Sequence, residues 1–505
     1  MEDIFVNRSS WWPLWRTNLD LVWGSAETDT LRSFAALALS GLEPTLLAIL
    51  LVAFATATGD RRRFLPPVEL HVVHNDELAG SEHGLSCLMI LGLCYLNHLQ
   101  PRRAWSVYRR ANSLLQLNGI HLRHKGSPKR ESIFWQLFHA DRWVSLMIGL
   151  PYMVLDHLTD VSIGTVEELS ASTYLYRHLA VLTGRVVDCL NEAKGPSLAT
   201  ALQVEEHMHD ILTQLPLGYL DIKHIRTCED QEEKMTRLYR SVHLHQLRAY
   251  LHVSFFLRPS RSDRYDYSRM TCVNDSRKLV EAYVEIFATN PAAASDGCVL
   301  NCTAFTAAVV LLIHATGIDG RDDGTPVARP RASYDWQLIY RTLDALKYGQ
   351  SGIAGALCRQ CYDALATLIK CARSDSVEKA TIVLPYFGTV TCKPVTHHDR
   401  PFAAAEPHRG TMQAIATPDS MAPAISDPSL AGTFAGNGNG DLPFDGIQFD
   451  YTGPFTHEGP LTSWLPSEWP GMQTTAGGEM AWNGDFGANN QWDWINADLP
   501  PSMMF

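Results

Sequence analysis

Apolar residues recur at helical spacing through most of the first 375 positions of this 505-residue chain. The pattern is clearest between residues 84 and 151. Leu88, Leu91, Gly92 and Tyr95 fall on one helical face, and the run breaks at 97–100. Ala104, Val107, Tyr108, Ala111 and Leu115 then mark the inner face of a second helix. Pro101 stands where its fixed φ suits a first helical turn. Two helices joined by so few residues must lie antiparallel. Small residues at Gly92, Ala104 and Ala111 allow close approach of the backbones.

The same period predicts helices over about 28–41, 43–57, 80–97, 101–118, 128–149, 168–194, 198–214, 229–257, 270–289, 297–316, 334–348 and 351–372. Residues 317–333, rich in Gly, Asp, Pro and Arg, predict a loop. Alternation is confined to short runs such as Thr381–Leu384, so the body is expected to be all-α. Gly92, Tyr95, Ala104, Tyr108 and Ala111 also fit one tetratricopeptide-like hairpin; with no second copy, this predicts a hairpin and no solenoid. The apolar run Leu46–Ala57 is about a dozen residues, short of the roughly 20 that span a bilayer. It reads as a buried helix, with no membrane partner.

The Trp-rich stretch 1–27 has no period and is expected to be irregular; residues 28–375 form the helical domain. Periodicity ends near residue 393, where Pro, Ala, Gly, Ser, Asn and Thr take over. Residues 393–505 are therefore expected to be a disordered tail. The charge is concentrated there: of a formal net −12, residues 401–505 hold twelve acidic side chains against Arg409 alone. The body is near neutral and has no bulk affinity for phosphate backbones. Aromatics, Phe444, Phe449, Trp464, Trp469, Trp492 and Trp494 among them, alternate with these carboxylates. That alternation marks an amphipathic activation segment, and these six are the candidate contacts to a co-activator.

The order of residues after Gly92 and Tyr95 is specific. Pro101-Arg102-Arg103-Ala104-Trp105 opens the second helix. A third, introduced by Ser127-Pro128 with Ser127 as N-cap, carries Trp135 and Asp141-Arg142 and closes at Gly149-Leu150-Pro151. Residues 80–165 in this order resemble the middle homology domain of fungal-specific transcription factors, the regulatory region of the binuclear zinc-cluster family. The resemblance implies an all-α regulatory domain, a nuclear location, control of the tail by the body, and a homo- or heterodimer.

That family reaches DNA through six cysteines holding two Zn²⁺ ions. Here eleven cysteines are scattered, and the single Cys-x-x-Cys, Cys358 and Cys361, lies inside a helical pattern without a basic neighbour. The expectation is no cofactor in this chain, with zinc confined to an upstream cluster that this sequence lacks. DNA would then be a partner only through such a cluster. The alternative is a cluster-less co-regulator that works through a DNA-bound partner. No nucleophile elbow, phosphate-binding loop or His-Glu-x-x-His is present, so no enzyme is expected. His243, His245 and His252, at offsets of two and seven, read as a polar or core helix face. Arg102/Arg109 and Arg103/Arg110 read as two solvated stripes.

Overall fold

The computed structural model describes residues 2–9, 11–12, 30–98, 100–123, 125–193, 195–257, 263–292, 297–316 and 332–373, together with short strands beyond. Twelve helices of more than ten residues stand among them. They are α1 (Leu31–Gly41), α2 (Pro44–Thr58), α3 (Glu82–Asn97), α4 (Pro101–Leu117), α5 (Pro128–Ile148), α6 (Ala171–Leu190), α7 (Leu198–Thr213), α8 (Gln231–Phe256), α9 (Asp266–Thr289), α10 (Cys298–Ala315), α11 (Ala332–Gly349) and α12 (Gly355–Arg373). Each corresponds to a helix predicted from periodicity, with ends shifted by a few residues.

Local chemistry sets these ends. Thr30 and Ser33 form a reciprocal capping box at α1, with Ser33 N donating to Thr30 Oγ1 at 3.1 Å. Ser81 accepts from Gly84 N at 3.0 Å and starts α3. Asp230 accepts from Glu232 N at 2.9 Å and starts α8. Ser127 holds the N-cap position of α5 as expected, but its side chain makes no capping bond there; Pro128 alone sets the first turn. Gly149 ends α5 in the left-handed region, at φ 67°.

Three features depart from the sequence reading. A short helix, Glu2–Asn7, begins the stretch expected to be irregular, and Trp11 and Trp12 are buried in the core. Residues 61–73, crossed by Pro66-Pro67, continue as helix Arg61–Val68 and a π-turn Glu69–Val73. Prolines donate no N–H, and the wider turn accommodates them. Beyond α12, β1 (Ala380–Leu384) pairs antiparallel with β2 (Gly388–Cys392), Ile382 facing Val390 in register. Their Thr, Ile and Val residues suit a pleated backbone. The three-residue strands β3 (Gln448–Asp450), β4 (Met472–Thr474) and β5 (Met480–Trp482) fall inside the segment expected to lack structure. β3 joins β2, and β4 pairs with β5. The remainder of that segment lies outside the described residues.

Successive long helices pack as neighbours. α3 lies on α4, α4 on α5, α5 on α6, α6 on α8, α8 on α9, and α9 on α10. α10 meets α11 and α12 and also returns to α3, where Cys298 Sγ donates to the Leu96 carbonyl at 3.2 Å. This return explains why α10 is apolar all round. It is long and apolar enough to cross a membrane by composition, but 89% of it is buried among the other helices. The core forms three clusters: one around α2–α5, one where α6–α8 meet, and one under α9–α12.

Candidate functional site

The motif residues converge on one loop, 150–156, which leaves α5. α4 approaches it from the side. Trp105 Nε1 donates to Ser145 Oγ at 3.1 Å, and Arg109 stacks on the Trp105 ring and donates to the Pro151 carbonyl at 3.0 Å. From below, Asp141 Oδ2 accepts from Met153 N at 2.7 Å. Arg142, fully buried, donates to the Val154 carbonyl at 2.8 Å and forms an ion pair with Asp156. Its guanidinium is sandwiched between Phe138 and Tyr152, 3.7 and 4.3 Å from their ring centroids. Asp141 and Arg142 thus do not form one pair; each grips a different part of the same loop. Burial raises the Asp141 carboxyl to about 6 despite the Met153 bond.

The other motif residues fix the helix crossings beside this clasp. Gly92 lies against the buried Tyr108 ring, where a Cβ would stand 2.3 Å from Cε1. Ala104 is fully buried at the same crossing. Tyr95 is hydrogen-bonded to Glu69, with Arg103 over its ring. Trp135 stacks edge-on with Phe134 and Phe138, under Arg177. The arginines of α4 are mostly engaged: Arg110 bonds Asp76 at 2.8 Å, and of the four only Arg102 is exposed. Arg103, Arg109 and Arg110 tie α4 to neighbouring segments, which corrects the reading of two solvated stripes at those three positions.

A second constellation occupies the seam of α7, α8 and α9. On α8, His245, Arg248 and His252 stand at i, i+3 and i+7, one polar stripe on a largely buried helix. Their counter-charges come from the neighbours. His245 Nδ1 lies 2.6 Å from Asp275 Oδ1 on α9. Arg248 bridges Asp275 at 3.2 Å and Glu205 of α7 at 2.6 Å. His252 Nε2 lies 3.1 Å from Glu205 Oε2. Burial alone would raise Glu205, but the bonds from His252 and Arg248 pull it down to about 2, so it is ionised. Burial is likewise outweighed at Asp275, which His245 and Arg248 hold below the usual range.

Outward from this seam opens a cavity of about 310 Å³. Glu205 and Arg248 line it together with Leu202, Met208 and Leu212, while Glu206, His209 and Tyr267 complete its wall. The histidine spacing on α8 was the available sequence signal for this site. Its partners, on other helices, have no adjacent signature.

His243 belongs to neither constellation. It stacks with His139 of α5 at 4.8 Å and contacts Thr183 Oγ1 at 3.1 Å. Burial, with Arg240 and Arg142 near, pushes His139 down to about 3.

Among the described residues no group of three or more His, Cys, Asp or Glu is arranged to hold a metal ion. Cys358 and Cys361 are buried in the core beside Cys298 and Cys302, and burial pushes the Cys302 thiol up to about 12. That environment disfavours the thiolates zinc needs. Phe444, Trp464, Trp469, Trp492 and Trp494 lie outside the described residues. Phe449 is described only as a backbone position of β3, in register with Val390.

Comparison with known proteins finds similarity to named transcription factors and biosynthesis regulators. It is 29% identical over 236 residues to the transcription factor sdnS of Sordaria araneosa, covering 41% of this chain and 29% of that protein. It is 27% identical over 271 residues to a dehydrocurvularin biosynthesis regulator of Aspergillus terreus, covering 50% and 37%. It is 23% identical over 176 residues to the Zn(2)-C6 fungal-type transcription factor pigI of Monascus ruber, covering 30% and 22%. The chain spans less than half the length of each of these relatives. No protein-family model matches it, and no solved structure does.

Proposed function

We propose that this chain, which is similar to fungal transcription factors, is a transcription regulator whose helical body, residues 28–375, governs an acidic-aromatic activation tail within 393–505. The observation that carries the reading is the likeness to named transcription factors and regulators, none of these names being that of an enzyme. The tail's composition supports the activation role. Twelve carboxylates keep the aromatics solvated, and a co-activator groove can then bury them. The body supplies what a controlling element needs: buried charge held across three helices beside a cavity, so that an occupant stabilises one packing over another. Work in the nucleus, and a homo- or heterodimeric state, follow from the same reading.

The family's zinc cluster has no counterpart among the described residues, since Cys358 and Cys361 sit in a core helix. The alternative reading is a co-regulator that reaches DNA through a bound partner. A reporter experiment tests the main proposal. Residues 441–498 fused to an unrelated DNA-binding domain should switch the reporter on; silence would sink the activation role. A gel-shift titration of the purified chain separates the two modes of reaching DNA. We expect no sequence-selective duplex binding by this chain, given its near-neutral body. Tight selective binding would refute the co-regulator reading.

A further inference from the structure

The cavity at the α7–α8–α9 seam has a defined chemical character. Its inner wall is apolar, built by Met208 and Leu212, and its rim carries the partly exposed Leu202 and Tyr267, 41% and 56% accessible. At about 310 Å³ it lies at the small end of ligand pockets. Exposed leucine and tyrosine side chains flanking a concave, partly apolar surface leave hydrocarbon and an aromatic ring open to an incoming group.

The charges around it are unbalanced. Two glutamates, Glu205 and Glu206, line it with one arginine, Arg248, and His209, while Asp275 lies buried behind Arg248 and is paired with His245 as well. Arg248 donates to Glu205 and Asp275 from its two terminal nitrogens, so its positive charge is already spent on them. Asp266, next to Tyr267, is bonded by Arg269 at 3.3 Å. Glu206 at the rim is exposed, and no ion pair to it is found among the described residues. An incoming anion would meet two glutamates and an occupied guanidinium. An incoming cation would meet the Glu206 carboxylate and the Tyr267 ring, whose hydroxyl is bonded to Glu205 and which packs edge-to-face with His252, a combination that attracts ammonium groups.

We propose that this cavity binds a small alkylammonium ligand, its hydrocarbon on Leu202, Met208 and Leu212 and its ammonium group between Glu206 and Tyr267. The proposal rests on the reading of the body as the controlling element and gives that element a ligand class. Binding at the seam bears on three helices at once, because Glu205 and Arg248 join α7, α8 and α9 directly beneath the ligand.

The test uses the full chain and hexylammonium as probe, with hexanoate as the opposite-charge control of equal length. Isothermal titration should show saturable hexylammonium binding and none of hexanoate. Glu206→Gln and Tyr267→Ala should each weaken hexylammonium binding at least five-fold, and Glu206→Gln, at an exposed position, should leave the thermal midpoint of the free protein in place. Equal binding of hexanoate would overturn the proposal, as would an absence of saturable hexylammonium binding or binding indifferent to both substitutions. The reporter readout is independent: a silent tail with intact hexylammonium binding removes the activation role alone, and an active tail without binding removes the ligand site alone.

Discussion

Gly184 of α6 lies directly on the Arg142 guanidinium of α5: a Cβ built there would stand 2.5 Å from Nη1 and 2.9 Å from Cζ. The glycine is what lets a fully buried arginine pass beneath α6 and reach the loop. Arg142 also donates to the Val181 carbonyl on α6 at 3.4 Å, so one side chain joins two helices and loop 150–156. A buried cation costs desolvation unless its donors are satisfied; here carbonyls, a carboxylate and two aromatic rings engage the terminal nitrogens and the guanidinium faces, while Nε has no partner among the described residues.

Gly184→Ala should therefore destabilise the protein. Alanine is favoured over glycine in a helix by roughly 0.5–1 kcal/mol. Overpacking against a held neighbour costs about 1–3 kcal/mol, and the Arg142 guanidinium is held by the Val154 and Val181 carbonyls, Asp156 and two rings. Urea unfolding should show a net loss; a midpoint equal to or above wild type would mean that the guanidinium shifts freely.

The α3–α4 crossing supports a parallel expectation. Gly92 faces the Tyr108 ring, and Ala104 is fully buried. Ala104→Trp should cost on the order of 1–3 kcal/mol by overpacking. A thermal scan without loss of midpoint would show that the two helices separate at little cost.

Helix existence and the buried faces were legible because burial repeats every three to four residues. Ala104, Val107, Tyr108, Ala111 and Leu115 of α4 are all buried, as their spacing predicts. The clasp was legible only as a list of motif residues. Its acceptors are largely backbone carbonyls of 151 and 154, which any residue supplies, and Gly184 stands forty-two positions from Arg142. The seam was half legible. His245, Arg248 and His252 form a visible stripe, but Glu205 and Asp275 reach it only through the packing of three helices.

Two buried groups give opposite pH dependences. Burial disfavours the charge of Asp141 and pushes its carboxyl up to about 6 from an ordinary 3.8. Its contribution is fully present below pH 3.8 and is lost as pH rises through 6. His139, held near 3 by burial, contributes stability above its ordinary 6.5 that is lost as pH falls toward 3. Between pH 6 and 4 the two oppose each other. Asp141→Asn keeps an acceptor for Met153 N and removes one of them. Its stability should fall more steeply than wild type as pH drops from 6 to 4. Chemical denaturation across that range checks this, and parallel curves would show that Asp141 titrates normally.

The tail offers a test of what its two residue types do. Burying an aromatic ring supplies affinity at a short-range contact. A carboxylate acts at longer range, screened by salt and shared among twelve acidic positions in 401–505. In the reporter fusion of 441–498, Trp492→Ala with Trp494→Ala should lower activation more than Asp493→Asn alone. Raised salt in a co-activator binding assay should slow association of both forms similarly, since the substitutions at 492 and 494 leave the charge unchanged. An equal response to the tryptophan and aspartate substitutions would mean that charge alone drives the tail, and the aromatic-contact account would fall.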